Sequence, residues 1–287
     1  MIRERLHRSP VLDPLINDPQ MQYNIGQSQR CSVHIPTFLQ KNEGDPAIKV
    51  SHVLSFPSCV LIHQLQNFSS KLREHLLPRI RAALRQGAES RPDQSLASIR
   101  TTSNDHFDGN GRDFVLLNKD LIYHHKLIRF HFTTYDVRRG TDIINPGTSR
   151  CNIMLLADQV DSATDSSNLH RFLYARVLGA YHANVIYTGP GMRDYEPRRF
   201  DFLWVRWFEV VNPASSGWEA SKLDSVRFPP LCEEASFGFV DPKDVLRGCH
   251  ILPAFAKGRR HQNGVGVSRC AKDGNDYMLY YVGRYVN

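Results

Sequence analysis

Three histidines close together, His124, His125 and His131, are the first side chains in this sequence that could do chemistry, as metal ligands. A metal site needs three or four ligands that converge on one point, and no cysteine accompanies these three. In an extended strand His125 and His131 face one side and His124 faces the other. We therefore interpret them as surface or partly buried histidines beside a basic strand.

Two cysteines and two histidines near the C-terminus are a better zinc candidate, because both ligand types are present: Cys249, His250, His261 and Cys270. Adjacent residues such as Cys249 and His250 diverge in a strand, however, and the spacing matches no standard zinc pattern. Cys249 could instead be a nucleophile paired with His182 or His261, but nothing in the sequence positions the partners. Buried cysteines and surface histidines are the favoured interpretation, so we expect no metal and no cofactor.

Four aspartates, Asp136, Asp142, Asp201 and Asp241, could hold the divalent ions of a two-metal nuclease if they emerged from neighbouring strands. Asp241 precedes a proline and is typical of a helix cap, whereas Asp142 suits a turn and Asp201 flanks a strand. The sequence also contains no GxSxG, HExxH or GxxxxGK[ST] motif, and no GxGxxG between a strand and a helix. We therefore expect a chain that is not an enzyme.

Arginine pairs at the ends of predicted strands say more about function than the metal and nuclease candidates do. If their loops meet at one rim of a small barrel, the guanidinium groups would contact the phosphates of nucleic acid. The alternative is that these arginines only solvate the loops. The formal net charge of +7 and the pI of about 9.1 favour an anionic partner. The candidate residues are Arg138, Arg139, Arg198, Arg199, Arg259 and Arg260, with Lys257 and His261 beside the last pair.

One helix should precede the strands. The range 61–88 is predicted to be an amphipathic, basic helical segment, in which Pro78 should kink the helix or end its first half. Residues 1–60 show no sustained period and are expected to be poorly ordered, and 89–112 are a linker rich in Gly, Ser and Asp. The apolar face of the helix consists of Leu61, Leu65, Phe68, Leu72, Leu76, Ile80 and Leu84.

Over residues 113–287 the apolar period changes from 3.6 to 2, which predicts a strand-rich module. Gly179, within FLYARVLGAYHANVIY, indicates a bulge. The segment FDFLWVRWFEVV is apolar on both faces and indicates a central strand. Its Trp204, Arg206 and Trp207 form either a cation–π cluster or, as we favour, part of the core.

The fold class that follows is α+β, mainly β. We expect a small curved antiparallel sheet or a partly open barrel, SH3-like or BAH-like, after the amphipathic helix. No apolar run approaches the roughly 20 residues that a membrane-spanning helix needs, so we expect no membrane partner. Six cysteines scattered singly and a charged start without an apolar h-region predict an intracellular chain.

Five ordered blocks in the second half of the chain resemble a region common in basidiomycete fungal proteins of the Plavaka type. Those are CACTA-like DNA transposons and their domesticated or decayed relatives. The segment LREHLLPRI (72–80) resembles the helix that precedes this region, so the resemblance covers roughly residues 65–287. The five blocks are TTYDVRRGTDIINP (133–146), FLYARVLGAYHANVIY (172–187), FDFLWVRWFE (200–209), FGFVDPKDVLRGCHILPAF (237–255) and YYVGRYV (280–286).

In proteins of this type the catalytic RNase H-like domain lies upstream, so the resemblance implies a post-catalytic region that carries no catalytic residues. Two departures stand out. Members typically have Asn where Gly283 stands, and they continue into an acidic and then glycine-rich tail beyond the position of Asn287, which indicates a fragment of a decayed element. The pairing of ARVLG with LWVRWF also resembles bromo-adjacent-homology modules, which bind chromatin proteins.

The leading hypothesis is a non-catalytic, transposase-derived module that binds nucleic acid or chromatin in the nucleus. One alternative is a protein-interaction module for a histone tail or a transposase partner, with Tyr135, Tyr187 or Trp218 at the edge of an aromatic cage. The other is the remnant of a transposase or nuclease. A protein partner is compatible with each of these hypotheses.

Overall fold

A computed structural model gives the architecture of the chain. The described residues are 22–26, 30–48, 68–89, 111–133, 139–157, 170–190, 192, 194–211 and 223–283.

Two α-helices occur in this part of the chain, α1 (Ile35–Lys41) and α2 (Phe68–Glu89). The predicted apolar face of α2 is confirmed, since Phe68, Leu72, Leu76 and Ile80 are all buried. Helix α2 continues through Pro78 instead of ending there. Pro78 is exposed, so water can reach the backbone that the ring leaves without a hydrogen bond.

Fourteen strands lie within the described residues. They are β1 (Tyr23–Ile25), β2 (Arg30–His34), β3 (Val115–His125), β4 (Ile128–Thr133), β5 (Arg139–Ile144), β6 (Asn152–Leu156), β7 (Phe172–Tyr187), β8 (Arg198–Trp207), β9 (Glu209–Val211), β10 (Asp224–Arg227), β11 (Phe237–Val240), β12 (Val245–Gly248), β13 (His250–Pro253) and β14 (Tyr280–Gly283).

All pairings between these strands are antiparallel, and they form three sheets. The main sheet has the order β11-β8-β7-β3-β2, and β6 joins it through β7 and carries β12. A second sheet has the order β1-β4-β5, and a third has the order β13-β14-β10-β9. The α+β, mainly β class is therefore confirmed, and the sheets do not close into a barrel.

Strand β8 is buried on both faces, as its sequence predicts. Phe202 and Trp204 belong to a core cluster that includes the buried residues of α2. Leu203 and Val205 belong to a second cluster, which includes apolar residues of the β1-β4-β5 sheet. The main sheet is therefore covered by helices on one face and by the second sheet on the other.

The bulge predicted at Gly179 is confirmed, because the β7–β8 register shifts between Val177 and Gly179. Its effect is to exchange the two faces of β7. Ala175 and Val177 pack towards the β1-β4-β5 sheet, whereas the odd-numbered Tyr181 and Ala183 pack towards the helices. A one-residue irregularity in a strand with a side-chain period of 2 has this consequence.

Strand β3, which pairs with β7, has an irregularity of its own. Its register shifts between Leu117 and Ile122, where Lys119 and Asp120 adopt positive φ values of 58° and 51°. Odd-numbered Leu117 and even-numbered Ile122 consequently lie in the same core cluster. Two long neighbouring strands thus both change face along their length.

The expected disorder of residues 1–60 does not hold for the described part of that segment, residues 22–26 and 30–48. Strand β1 pairs with β4, and β2 pairs with the edge of β3. Ile35 and Ile48 are buried in the same cluster as α2. These contacts join residues about a hundred positions apart, so local periodicity in the sequence cannot predict them. Leu61, Leu65 and residues 90–110 of the predicted linker 89–112 lie outside the described residues, whereas Glu89 ends α2 and Gly111 begins a short 3₁₀ turn, Gly111–Phe114.

Candidate nucleic-acid interface

A cleft of about 750 Å³ opens where α2, β1, the start of β8 and the turn Pro242–Asp244 meet. Four cationic side chains and two carboxylates line it, so its charge balance is positive. The cations come from three different elements: α2, β8 and the turn. The charged lining residues are Arg79, Arg198, Arg199, Lys243, Asp201 and Asp241.

Arg199 is held in place by a residue of its own strand and by β1. Its Nε and Nη2 donate to Asp201 Oδ1 at 2.9 and 2.8 Å, and Nη2 also donates to the carbonyl oxygen of Ile25 at 2.9 Å. A guanidinium group has five N–H donors. These three bonds therefore fix the side chain and leave donors on the same group for a further acceptor.

Arg198 is anchored to helix α2. Its Nη1 donates to the carbonyl oxygen of Ala83 at 3.2 Å, and its Nη2 donates to Asp194 at 3.1 Å. The side chain of Arg198 is about one third exposed. Lys243, on the opposite element of the cleft, is exposed. The cleft thus combines anchored guanidinium groups with an accessible ammonium group.

Arg79 reaches the cleft from α2 with its direction fixed by three groups. Its Nε pairs with Asp241 Oδ2 at 2.7 Å, and its Nη1 lies 3.2 Å from His75 Nε2. Its guanidinium carbon also lies 5.5 Å from the centroid of the Phe200 ring. Because arginine only donates, His75 Nε2 must accept and the ring must be neutral. Burial and the nearby Arg79 charge lower the pKa of His75 to about 3.

Asp201 and Tyr23 form a polar pair at the wall of the cleft. Tyr23 Oη donates to Asp201 Oδ2 at 3.3 Å. Burial raises the pKa of Asp201, although the Arg199 charge and hydrogen bonds from Arg199 and Tyr23 oppose that rise. Burial and the nearby Asp201 charge also raise the pKa of Tyr23. Both groups are therefore weaker acids than usual, and at neutral pH the phenol keeps its proton.

The other predicted arginines lie elsewhere. Arg139 begins β5 and is exposed. Arg259 is exposed, and Arg260 Nη2 donates to the carbonyl oxygen of Phe228 at 2.8 Å. Arg138 lies outside the described residues. Among the described members of the predicted set, Arg198 and Arg199 alone line this cleft.

The histidine candidates for a metal site are placed apart. His124 and His125 end β3, whereas His131 is in β4 and lies 3.1 Å from Thr141 Oγ1. His125 is buried, contrary to the expected surface or partly buried position, and its Nε2 lies 2.6 Å from His182 Nδ1. Within the part of the chain that the structure describes, no group of three or more His, Cys, Asp or Glu residues could hold a metal ion.

Of the cysteine candidates, Cys249 is buried and Cys270 is half-buried. Burial raises the pKa of the Cys249 thiol, and so does the nearby thiol of Cys151. Burial and Asp45 raise the pKa of Cys270 to about 12. His261 instead lies 3.3 Å from Asp273. Thiols with raised pKa values are poor nucleophiles and poor metal ligands at neutral pH.

The three described aspartate candidates each have a cation or a backbone partner. Asp142 pairs with Arg247 at 3.2 Å and accepts the backbone N–H of Gly248 at 2.9 Å. Asp241 accepts the backbone N–H of Lys243 at 3.1 Å, as the predicted cap of a short 3₁₀ turn. Asp201 binds Arg199, as described above. Asp136 lies outside the described residues.

The interpretation of Trp204 and Arg206 as core residues is confirmed, since both are buried. The Nη1 of Arg206 pairs with Asp276, which also binds Arg176 Nη1 at 2.7 Å. The two guanidinium carbons lie 3.9 and 4.4 Å from the ring centroid of Phe228. This cluster is a buried charge network between β7, β8 and the C-terminal segment. Trp207 is partly buried against the second core cluster.

Tyr187 does not form the edge of an exposed aromatic cage. It is buried in the cluster beside α2, and its hydroxyl accepts from Arg81 Nε at 3.2 Å. Tyr135 and Trp218 lie outside the described residues.

Sequence reasoning missed two cationic residues of the cleft, Arg79 and Lys243. Arg79 is one of several basic residues of the predicted helix, and Lys243 directly follows the turn proline Pro242. The Arg79–Asp241 pair joins residues 162 positions apart in the printed sequence, so no spacing rule points to it. The local signal for this part of the cleft is Asp241, which is predicted as a cap and precedes Lys243 by two residues.

Comparison with protein-family models, curated proteins and solved structures gives no match. The resemblance to Plavaka-type proteins, and to SH3-like and BAH-like folds, therefore stays a prediction. None of the described helices is long and apolar enough to cross a membrane.

Proposed function

We propose that this chain is a nucleic-acid-binding module that contacts phosphates through the cleft between α2 and β8. One observation carries the proposal: four cationic side chains from three elements line this cleft, together with only two carboxylates. The cations are Arg79, Arg198, Arg199 and Lys243. Cations that share a concave surface raise the local concentration of a polyanion more than scattered ones do.

The two carboxylates of the cleft order its arginines. Asp201 and Asp241 hold Arg199 and Arg79 in fixed orientations. A guanidinium group that is already ordered loses less side-chain entropy when a phosphate binds. The remaining N–H donors of Arg199 and the ammonium group of Lys243 can then bind phosphate oxygens directly.

The resemblance of the sequence to Plavaka-type transposon proteins supports a wider proposal. The module would be a non-catalytic, transposase-derived piece that works on DNA or chromatin in the nucleus. In that setting its affinity should depend little on base sequence, because contacts to phosphates carry no sequence information.

A salt titration with a charge-neutral variant tests the cleft. Lys243→Gln should weaken binding about equally across unrelated sequences and reduce the slope of log affinity against log salt by about 1. The measurement is fluorescence anisotropy with a labelled oligonucleotide at several salt concentrations. Lys243 is exposed, so the variant should fold as the parent does.

Arg227→Gln is the matched control, since Arg227 is an exposed arginine paired with Glu209 on the third sheet, outside the cleft lining. It changes the net charge by the same amount as Lys243→Gln. If both variants reduce the salt slope equally, the cleft is not the binding site. If the full chain binds no nucleic acid at low salt, the proposed function is wrong.

A further inference from the structure

Phe255 is a large apolar side chain left largely in solvent. It is 71% exposed, and it begins the short 3₁₀ turn Phe255–Lys257 that follows β13. Met278, on the segment that pairs with this turn, is 53% exposed. The two segments are joined by hydrogen bonds from the backbone N–H of Ala254 to Leu279 and from that of Met278 to Gly258. The aromatic ring is thus exposed on a backbone that is tied down on both sides.

The ring of Phe255 has an open face. Its only described aromatic partner is Tyr277, at a centroid distance of 5.4 Å and an interplanar angle of 84°. In an edge-to-face pair at most one face of either ring is covered by the other. Arg259 occupies space over Tyr277, with its guanidinium carbon 5.7 Å from that ring. Phe255 therefore presents at least one face that Tyr277 does not cover.

The charged side chains next to this ring in the sequence are all positive. Residues 254–263 contain Lys257, Arg259 and Arg260 and no acidic residue. On the segment joined to it by hydrogen bonds, residues 271–278, the two carboxylates are Asp273 and Asp276, and both are buried. An open aromatic face with cations in its own segment, and with no exposed carboxylate on the two joined segments, suits an anionic ligand with a flat ring.

We propose that Phe255, with Lys257 and Arg259, is a stacking platform for an unpaired base of a single-stranded nucleic acid. The base would stack on the open face of Phe255, and the two cations would contact the flanking phosphates. Exposed aromatic rings next to cations are the usual means by which proteins bind single strands, whereas bases inside a duplex offer no free face. This inference rests on the proposed function and names its ligand class.

The platform and the cleft lie near opposite ends of β8. Arg198 lines the cleft, while Arg206 pairs with Asp276, whose carbonyl oxygen accepts the backbone N–H of Arg260 at 2.8 Å. The eight residue steps from Arg198 to Arg206 span about 27 Å of extended strand. The two sites are therefore separate, and each can be altered without touching the other.

The test compares one labelled oligonucleotide of about 16 nucleotides as a single strand and as a duplex, because a small β module covers up to that length. Phe255→Ala should weaken binding of the single strand by about fivefold to a hundredfold, the usual range for one base–aromatic stack. Its affinity for the duplex should stay unchanged. Phe255→Leu, which keeps an apolar side chain but removes the ring, should lose nearly as much as Phe255→Ala.

Leu252→Ala is the matched control, since Leu252 is an exposed apolar residue (42%) on neighbouring β13, and it should leave both affinities unchanged. If Phe255→Ala leaves single-strand affinity intact while the parent binds nucleic acid, the platform is wrong and the proposed function stands. If the parent binds neither form, both fail. If the Phe255 variants lose binding to anionic phospholipid vesicles but not to the single strand, the surface belongs to a membrane and the inference is overturned.

Discussion

At the scale of single residues, His75 controls the position of a cleft arginine without lining the cleft itself. Its Nε2 accepts from Arg79 Nη1, and its ring lies 6.0 Å from that of Phe239. Protonation of His75 would remove this hydrogen bond and place two positive charges side by side. The cleft should therefore keep its described arrangement only while His75 is neutral.

This arrangement predicts a specific pH dependence of stability. The pKa of His75 falls from its ordinary 6.5 to about 3 in the folded protein. Between these two values the unfolded chain binds a proton that the folded chain does not. The free energy of unfolding should therefore fall as the pH drops below 6.5, by at most about 1.4 kcal/mol per pH unit from this group.

Urea unfolding of the parent and of His75→Gln at pH 7 and pH 5 measures this contribution. Gln can still accept a hydrogen bond from Arg79 but does not titrate. The parent should lose about 2 kcal/mol more than the variant between the two pH values. Equal losses in the two proteins would show that His75 is protonated in the folded state as easily as in the unfolded state.

At the scale of elements, the bulge at Gly179 determines which residues of β7 pack beside α2 and which pack against the β1-β4-β5 sheet. A Cβ atom at position 179 would overlap the ring of Tyr181, and that ring is buried and stacked on Phe202 at 5.6 Å. Gly179→Ala should therefore destabilise the protein by about 1–3 kcal/mol, the usual cost of overpacking. The measurement is the urea midpoint.

Gly283→Ala provides the comparison, because a Cβ there would lie 3.5 Å from the nearest atom, an ordinary contact. Its effect should stay within about 0.5 kcal/mol. A loss at Gly179 no larger than at Gly283 would mean that Tyr181 can move aside, and that the bulge tolerates a side chain.

The elements also show what the sequence can and cannot predict here. The stripe from Phe68 to Ile80 and the two-sided apolar pattern of β8 are local signals, and both were predicted correctly. The bulge was predicted because a glycine interrupts a β-branched run. The cleft could not be predicted, since it needs Arg79, Arg199 and Lys243 to meet from elements far apart in the chain. Periodicity identifies elements and says nothing about which ones become neighbours.

At the scale of the whole molecule, the N-terminal strands β1 and β2 belong to the same sheets as the strands after residue 115. A cut before residue 61, where the segment expected to be poorly ordered ends, would remove the β2 partner of β3 and the buried Ile35 and Ile48. Each of these isoleucines contributes about 1.5–3 kcal/mol through burial. A chain that starts at residue 61 should therefore melt at a clearly lower temperature than residues 1–287.

Differential scanning calorimetry of the two chains checks this expectation. Ile35→Ala in the full chain is an independent version of the same test and should cost about 2–5 kcal/mol. Identical melting of the full and shortened chains would show that residues 1–60 add nothing to the stability of the rest.

The antiparallel pairings have a kinetic consequence. Tyr23 pairs with Phe130, Val33 with Ile122, and Ile153 with Gly248, so each of these ladders joins segments about a hundred residues apart. A high contact order of this kind slows folding to milliseconds or longer, because each ladder closes a long loop before it gains any stability. During synthesis, β1 and β2 leave the ribosome well before their partners exist. The nascent chain should therefore carry unpaired strand edges for much of its translation, the feature that makes folding intermediates prone to aggregation.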